Sequence, residues 1–240
     1  MNVSLFIPCF IDQLYPETGM NMVRILERLG CNVQYPKKQT CCGQPACNAG
    51  FQDEARAVAK KFCNDFSQNS DYIVGPSGSC VGYITHQYEH LLQHAGVYNY
   101  KSIKGRVFEF TDFVVNKLGV QKINARLQAK ATYHDGCASL RECGIKQAPR
   151  TLLQNVEGLE LVEMKECETC CGFGGTFSVK FEPISIGMAK NKVDSALAAG
   201  AELIISADAS CLMHLDAYIK SNNIPLRTMH ICDVLTLGWS

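Results

Sequence analysis

The chain has 240 residues with 23 basic and 23 acidic side chains, so its formal charge is zero and no basic excess marks it for nucleic acid or an anionic membrane surface. Hydrophobic residues make up 47% and charged residues 19%, an ordinary composition for a folded chain with enough length for a core. No stretch approaches the ~18 apolar residues that a membrane span requires.

Val3–Ile7 is a short apolar run of strand type. Met22, Ile25, Leu26 and Leu29 share one face of a helix that Gly30 stops. A brief strand, Val33–Tyr35, precedes Thr40-Cys41-Cys42-Gly43. The pattern then predicts a helix over Asp53–Phe66, a buried strand over Asp71–Gly75, a helix over Val81–His94, a strand over Arg106–Phe110 and a short helix over Asp112–Leu118. Gly119–Ala129 reads as a crossing segment. Beyond it, strands are predicted at Ala131–His134, Leu159–Glu163 and Glu202–Ser206, and helices at Pro149–Asn155, Ile184–Ala199 and Leu212–Ser221.

This order is a duplication. Val3–Cys9 aligns with Ala131–Cys137, Thr40–Gly43 with Thr169–Gly172, Pro76–Cys80 with Ala207–Cys211, and Phe108–Val115 with Met229–Leu235. Alternating strands and helices in each copy predict an α/β fold of two duplicated halves, residues 1–122 and 123–240, each with a mostly parallel sheet and related by pseudo-twofold symmetry.

Fourteen cysteines are the one unusual number. Met1-Asn2-Val3-Ser4 lacks the basic start of a secretory signal and Asp12 interrupts the apolar run early. A cytoplasmic location is expected, where clustered thiols mean metal or redox chemistry more often than disulfides. Cys9, Cys80, Cys137 and Cys211 each follow a predicted strand, and Cys41-Cys42 and Cys170-Cys171 lie in strand-to-helix turns. Ligands in open α/β sheets bind beyond the carboxyl ends of strands, so each half presents four thiolates at one sheet edge. Thiolates are what iron and inorganic sulfide require. Two adjacent cysteines are awkward partners for a single ion but reach two irons of one cluster. Gly43 and Gly172 permit the backbone amides to approach cluster sulfides. Cys31, Cys63 and Cys232 fall within helix or strand patterns and read as small hydrophobes; Cys47, Cys143 and Cys167 lie near the ligand sets and stay open.

The repeated Cys…Cys-Cys-Gly…Cys pattern resembles the cysteine-rich CCG-domain family, whose members include the cysteine-rich component of heterodisulfide reductase, the iron–sulfur subunit of glycolate oxidase and the lactate-utilisation A proteins. The resemblance covers nearly the whole chain. A two-copy chain without ferredoxin-type cysteine runs is most similar to the lactate-utilisation branch. It implies an electron-transfer subunit with one [4Fe–4S] cluster per half, held by Cys9, Cys41, Cys42 and Cys80 and by Cys137, Cys170, Cys171 and Cys211. It also implies partner subunits of a lactate-oxidising system and other redox partner proteins, making the chain a redox component of lactate-to-pyruvate oxidation. The family's last Cys-x-x-Cys is Ser77-Gly78-Ser79-Cys80 in one half and Asp208-Ala209-Ser210-Cys211 in the other. A fifth thiolate is missing, which argues against disulfide-cleaving chemistry. Asp208 reads as a turn or cap residue, and His134-Asp135 as contacts outside the thiolate shell. Two rival readings are a zinc-stabilised interaction module and a thiol–disulfide oxidoreductase. His86, His90 and His94 recur every fourth residue, either as metal ligands or, more commonly, as an amphipathic face. His214 and His230 have no supporting pattern. No dinucleotide fingerprint or P-loop occurs.

Overall fold

The computed structural model describes residues 1–67, 70–93 and 100–239. The first half runs β1 (Asn2–Leu5), α1 (Cys9–Leu14), α2 (Pro16–Arg28), β2 (Asn32–Gln34), α3 (Gln44–Asn48), α4 (Gln52–Phe66), β3 (Tyr72–Gly75), α5 (Gly78–Leu92), α6 (Tyr100–Ile103), β4 (Val107–Glu109) and α7 (Phe110–Asp112), followed by a π-helical turn, Phe113–Lys117. The second runs β5 (Arg126–Tyr133), α8 (Cys137–Arg141), α9 (Gln147–Gln154), β6 (Glu157–Leu161), α10 (Phe177–Lys180), α11 (Glu182–Ala198), β7 (Leu203–Ser206), α12 (Ala209–Ser221), β8 (Arg227–His230) and α13 (Ile231–Val234).

The two sheets are parallel throughout and have matching orders, β2-β1-β3-β4 and β6-β5-β7-β8. Their central registers also correspond: Leu5 lies opposite Val74 in one sheet and Tyr133 opposite Ile205 in the other. The duplicated α/β architecture expected from the sequence is therefore present in both halves.

Side-chain alternation builds the layers, because successive strand residues point to opposite faces. Val3, Leu5 and Val74 from the first sheet meet Ala131, Tyr133, Leu203 and Ile205 from the second in one shared core. Met22, Ile25 and Leu26 of α2, Phe113 of the π-helical turn, Leu152 and Leu153 of α9 and Ile231 of α13 fill the space between. The opposite face of the first sheet, with Ile73 and Val107, packs on Phe62 and Phe66 of α4 and Ile84 of α5. Ile204 does the same for the second sheet against Val193 of α11 and Leu215 of α12.

Several boundaries differ from the sequence expectation. β5 starts at Arg126, so it absorbs part of the expected crossing segment. Arg126, Gln128 and Lys130 alternate with Leu127, Ala129 and Ala131, but polar and alanine-rich residues carry a weak strand signal. The short helix after β4 splits into α7 and the π-helical turn. Among the described residues, α5 ends at Leu92, and the expected extension to His94 lies outside them.

Candidate metal centres

Each half directs its cysteines to the carboxyl edge of its sheet. Cys9 and Cys137 open α1 and α8, directly beyond β1 and β5. Cys80 and Cys211 sit in the first turns of α5 and α12, beyond β3 and β7. The paired cysteines occupy the loops after β2 and β6. All fourteen cysteines are free thiols.

In the first half the Cys9 and Cys41 sulfurs are 3.8 Å apart. Cys42 is in hydrogen-bonding contact with both Cys41 and Cys80. In the second half Cys170 contacts Cys137 and Cys171, and Cys171 also contacts Cys211. The structure thus brings each expected set of four together. The Cys41 thiol is held far below its usual range by hydrogen bonds from Cys42 and Cys9, and that of Cys170 by bonds from Cys137 and Cys171. Cys42 and Cys171 are pushed up by those same bonds, by their other cysteine neighbours and by burial. Four sulfurs at this spacing cannot all carry charge against one another without a compensating cation.

The turns behave as their glycines allow. Gly43 and Gly172 take left-handed conformations, φ +90° and +97°, and their amides point to Cys41 and Cys170 sulfur at 3.4 Å each. Phe173 N–H approaches Cys171 sulfur at 3.5 Å. A Cβ on Gly172 would lie 2.6 Å from the Ser185 carbonyl oxygen, whereas one on Gly43 would meet Val58 at 3.2 Å. The second turn is the tighter of the two. Ser185 Oγ–H donates to Gly172 O at 2.8 Å and lies 3.1 Å from His214 Nε2, a role for His214 that no sequence spacing advertises.

The surroundings differ between the halves. Aromatic rings back the first site: Phe6 packs edge-on against Phe62 at 5.0 Å, and Tyr88 donates to Cys42 O at 2.7 Å. The second is polar. His134 is fully buried, and neither ring nitrogen has a hydrogen-bond partner among the described residues. Burial and then Lys192 push its imidazole down to about 3, so the ring is neutral. One His134 nitrogen and the Cys171 and Cys211 sulfurs lie within 4.8 Å of one another. Lys192, also buried, donates to the carbonyls of Glu166 and Cys167. A second group, Asp135, Cys167 and Glu168, is equally close-knit. There Asp135 is held by both Arg150 terminal nitrogens at 2.8 Å and Glu168 by Lys146, so its carboxylates already have cationic partners.

The remaining cysteines separate clearly. Cys31, Cys63 and Cys232 are core residues. Cys47 lies beside Tyr83 and Gln52 at the edge of the first site. Cys143 lines a cleft of about 220 Å³ between α5, β4 and the segment that follows α8, together with His86, Glu109, Asp112 and Glu142. His86 and His90 are exposed on α5, as an amphipathic face would be, and His94 lies outside the described residues.

Asp208 does not face its own helix. It stands at the N-cap position of α12 without making the cap bond. Instead its carboxylate accepts from Ser77 Oγ–H at 3.1 Å, Ser79 N–H at 2.9 Å and Ser139 Oγ–H at 3.0 Å. It joins the N-terminus of α5 in the first half to α8 in the second. Nearby, His230 Nε2–H donates across the same boundary to Pro76 O at 3.1 Å, while Nδ1 accepts from Cys232 N–H.

Comparison with known proteins agrees with this geometry. The model of the cysteine-rich CCG domain matches residues 3–85 and again 131–216. The chain belongs to the cysteine-rich CCG-domain family. The two matches fall on the two thiol-bearing halves. Similar proteins include lactate utilization protein A of Exiguobacterium sp., 46% identical over 99% of this chain and 98% of the relative. Another is lactate utilization protein A of Halalkalibacterium halodurans, also 46% identical, over 98% and 96%. A crystal structure of a hypothetical protein from Helicobacter pylori shares the fold, with a TM-score of 0.62 at 8% identity. This chain matches it over its whole length but spans only about half of that protein, 49%.

Proposed function

We propose that this protein is an iron–sulfur electron carrier serving the oxidation of L-lactate or a related 2-hydroxy acid. The observation that carries this reading is the gathering of Cys9, Cys41, Cys42 and Cys80, and separately of Cys137, Cys170, Cys171 and Cys211, around a left-handed Cys-Cys-Gly turn. The donor set suits the group: soft thiolates, no competing disulfide, and turn amides directed at sulfur. A [4Fe–4S] cluster bound in each half would supply one-electron transfer. The residues supply the rest. The eight thiolates would hold the irons, the Gly43, Gly172 and Phe173 amides would stabilise negative charge on sulfur, and the buried surroundings would limit water.

The lactate assignment rests on the names of the relatives and on their near full-length identity. Under it the chain is a redox component rather than a complete dehydrogenase, working in the cytoplasm with partner subunits of the lactate system and other redox proteins. No helix among the described residues is long and apolar enough to cross a membrane. The units are residues 1–122 and 123–240, one centre to each.

Cys42→Ala and Cys171→Ala test the ligand assignment separately. Each should remove about half the iron bound by anaerobically reconstituted protein, since each takes one ligand from one of two clusters. Unchanged iron in either variant would reject that cysteine as a ligand.

A further inference from the structure

Phe6 and His134 occupy equivalent places. Each follows the same strand of its half, and each donates its backbone N–H to the neighbouring strand, Phe6 to Val74 O at 2.9 Å and His134 to Ile205 O at 2.8 Å. Phe6 fills its place with an apolar ring packed on Phe62 and Phe66. His134 fills the same place with a polar ring, fully buried, and neither nitrogen completes a hydrogen bond among the described residues, although the Cys167 carbonyl lies beside the ring. Leaving a buried polar group without a partner is unfavourable, so the ring calls for a partner that the described residues do not supply at both nitrogens. The side chain is directed at Cys171 and Cys211, with all three donor atoms within 4.8 Å.

We propose that His134 is a nitrogen ligand of the second metal centre, so that the two centres of the chain are chemically different and the second has the higher reduction potential. The inference rests on the metal-centre reading above and extends it. The first half offers four thiolates. The second offers Cys137, Cys170, Cys171 and Cys211 together with an imidazole. A four-iron cluster takes one protein ligand per iron, so the imidazole would stand in for one neighbouring thiolate of the second set, and a neutral nitrogen in place of a thiolate raises the potential. The buried Lys192, whose charge bears on Cys171 and Cys211, acts in the same direction. Among the described residues of the first half, no lysine, arginine or histidine is buried.

The test uses the full chain, reconstituted anaerobically with iron and sulfide, partly reduced, and prepared with either natural-abundance or ring-¹⁵N histidine. Pulsed EPR should show strong histidine-nitrogen coupling on one of two spectroscopically distinct centres, changing from ¹⁴N to ¹⁵N character with the label. His134→Phe, which installs the residue of the first half, and His134→Asn, which keeps a polar side chain, should both lose that coupling. In both, the potential of the second centre should fall toward that of the first. His214→Asn should retain the coupling. Full iron content with no strong histidine coupling in the wild-type protein would overturn the inference and leave the two-cluster reading standing. Near-zero iron after reconstitution would overturn both. Because the labelled wild-type protein carries the decisive signal, the outcome does not depend on a variant folding.

Discussion

Replacing Asp208 with alanine should uncouple the two halves. The carboxylate is 1% exposed and accepts three hydrogen bonds, all from residues outside its own helix: Ser77, Ser79 and Ser139. Hydrogen bonds to a charged group contribute roughly 1.5–3 kcal/mol each. The loss is smaller than their sum, because Ser77 and Ser79 hydroxyls already lie 3.1 Å apart and can pair with each other. The Ser79 N–H has no such alternative. We expect Asp208→Ala to cost about 2–5 kcal/mol, since it leaves the Ser79 N–H and the Ser139 hydroxyl without their acceptor at roughly 1–3 kcal/mol each. Asp208→Asn should cost only about 1–2 kcal/mol. Its remaining oxygen can still accept from Ser77 and Ser79, and its amide can donate to a rotated Ser139 hydroxyl. Urea denaturation followed by circular dichroism and by the single tryptophan, Trp239, measures both values and shows whether one transition splits into two. A cost below about 0.5 kcal/mol for the alanine variant, the scatter of ordinary surface changes, would refute the brace. So would an asparagine variant as damaged as the alanine one.

Glu109 is buried, and burial raises its carboxyl from 4.5 to about 8 against the opposing bonds from Thr111 and Asp112. Because the folded value is the higher, its contribution is fully present below pH 4.5 and is lost as pH rises to about 8. The full shift corresponds to at most roughly 5 kcal/mol. Glu109→Gln should flatten the stability profile across this window, and an unchanged slope in denaturation midpoints would contradict the assignment. Gly172→Ala should disturb its centre more than Gly43→Ala does. Both residues have positive φ, but only the first places a Cβ 2.6 Å from a backbone oxygen. Iron content of the two variants compares them directly, and equal losses would show that the tighter turn does not matter. Gly78→Ala should weaken the contact of α5 with α8, since its Cβ would fall 1.7 Å from Ser139 Oγ. A melting temperature equal to wild type would show that the helices can separate without cost.

The parts legible in the sequence are those that depend on local periodicity and on repetition. Strands such as Leu203–Ser206, and helices such as α4 with Ala55, Ala59 and Phe62 on one face, carry their pattern in adjacent residues. The duplication then locates equivalent cysteines in the two halves without any knowledge of contacts. β8 is visible only through that alignment, because Arg227–His230 has little strand character of its own. The short helices α1, α8 and α10 do not announce themselves. Each spans six residues or fewer, too few for a periodic signal, and α1 and α8 begin at the candidate ligands Cys9 and Cys137 themselves.

What joins the halves is not legible either. Thr18 and Asn21 of α2 bond the Asp233 carboxylate at 2.8 and 2.9 Å across more than 200 positions, and His230 reaches Pro76 across 154. Such pairings depend on how two separately encoded units dock. Asp208 illustrates the limit: its place after a strand makes it a cap candidate, and its bonds in fact run to α8 of its own half and to Ser77 and Ser79 of the other. His134 shows the converse. Its nearness to Cys137 in sequence suggests a neighbour of the metal shell, but only its burial, its two unpartnered nitrogens and its proximity to Cys171 and Cys211 make it a ligand candidate.

Iron, acid-labile sulfide and zinc per chain, measured on anaerobically purified protein together with a visible spectrum, separate an iron–sulfur protein from a zinc protein. About eight iron and eight sulfide per chain, the content of two four-iron clusters, are expected with broad visible absorption and little zinc. Stoichiometric zinc with near-zero iron after anaerobic reconstitution would contradict the iron–sulfur reading and leave a zinc-stabilised module in its place.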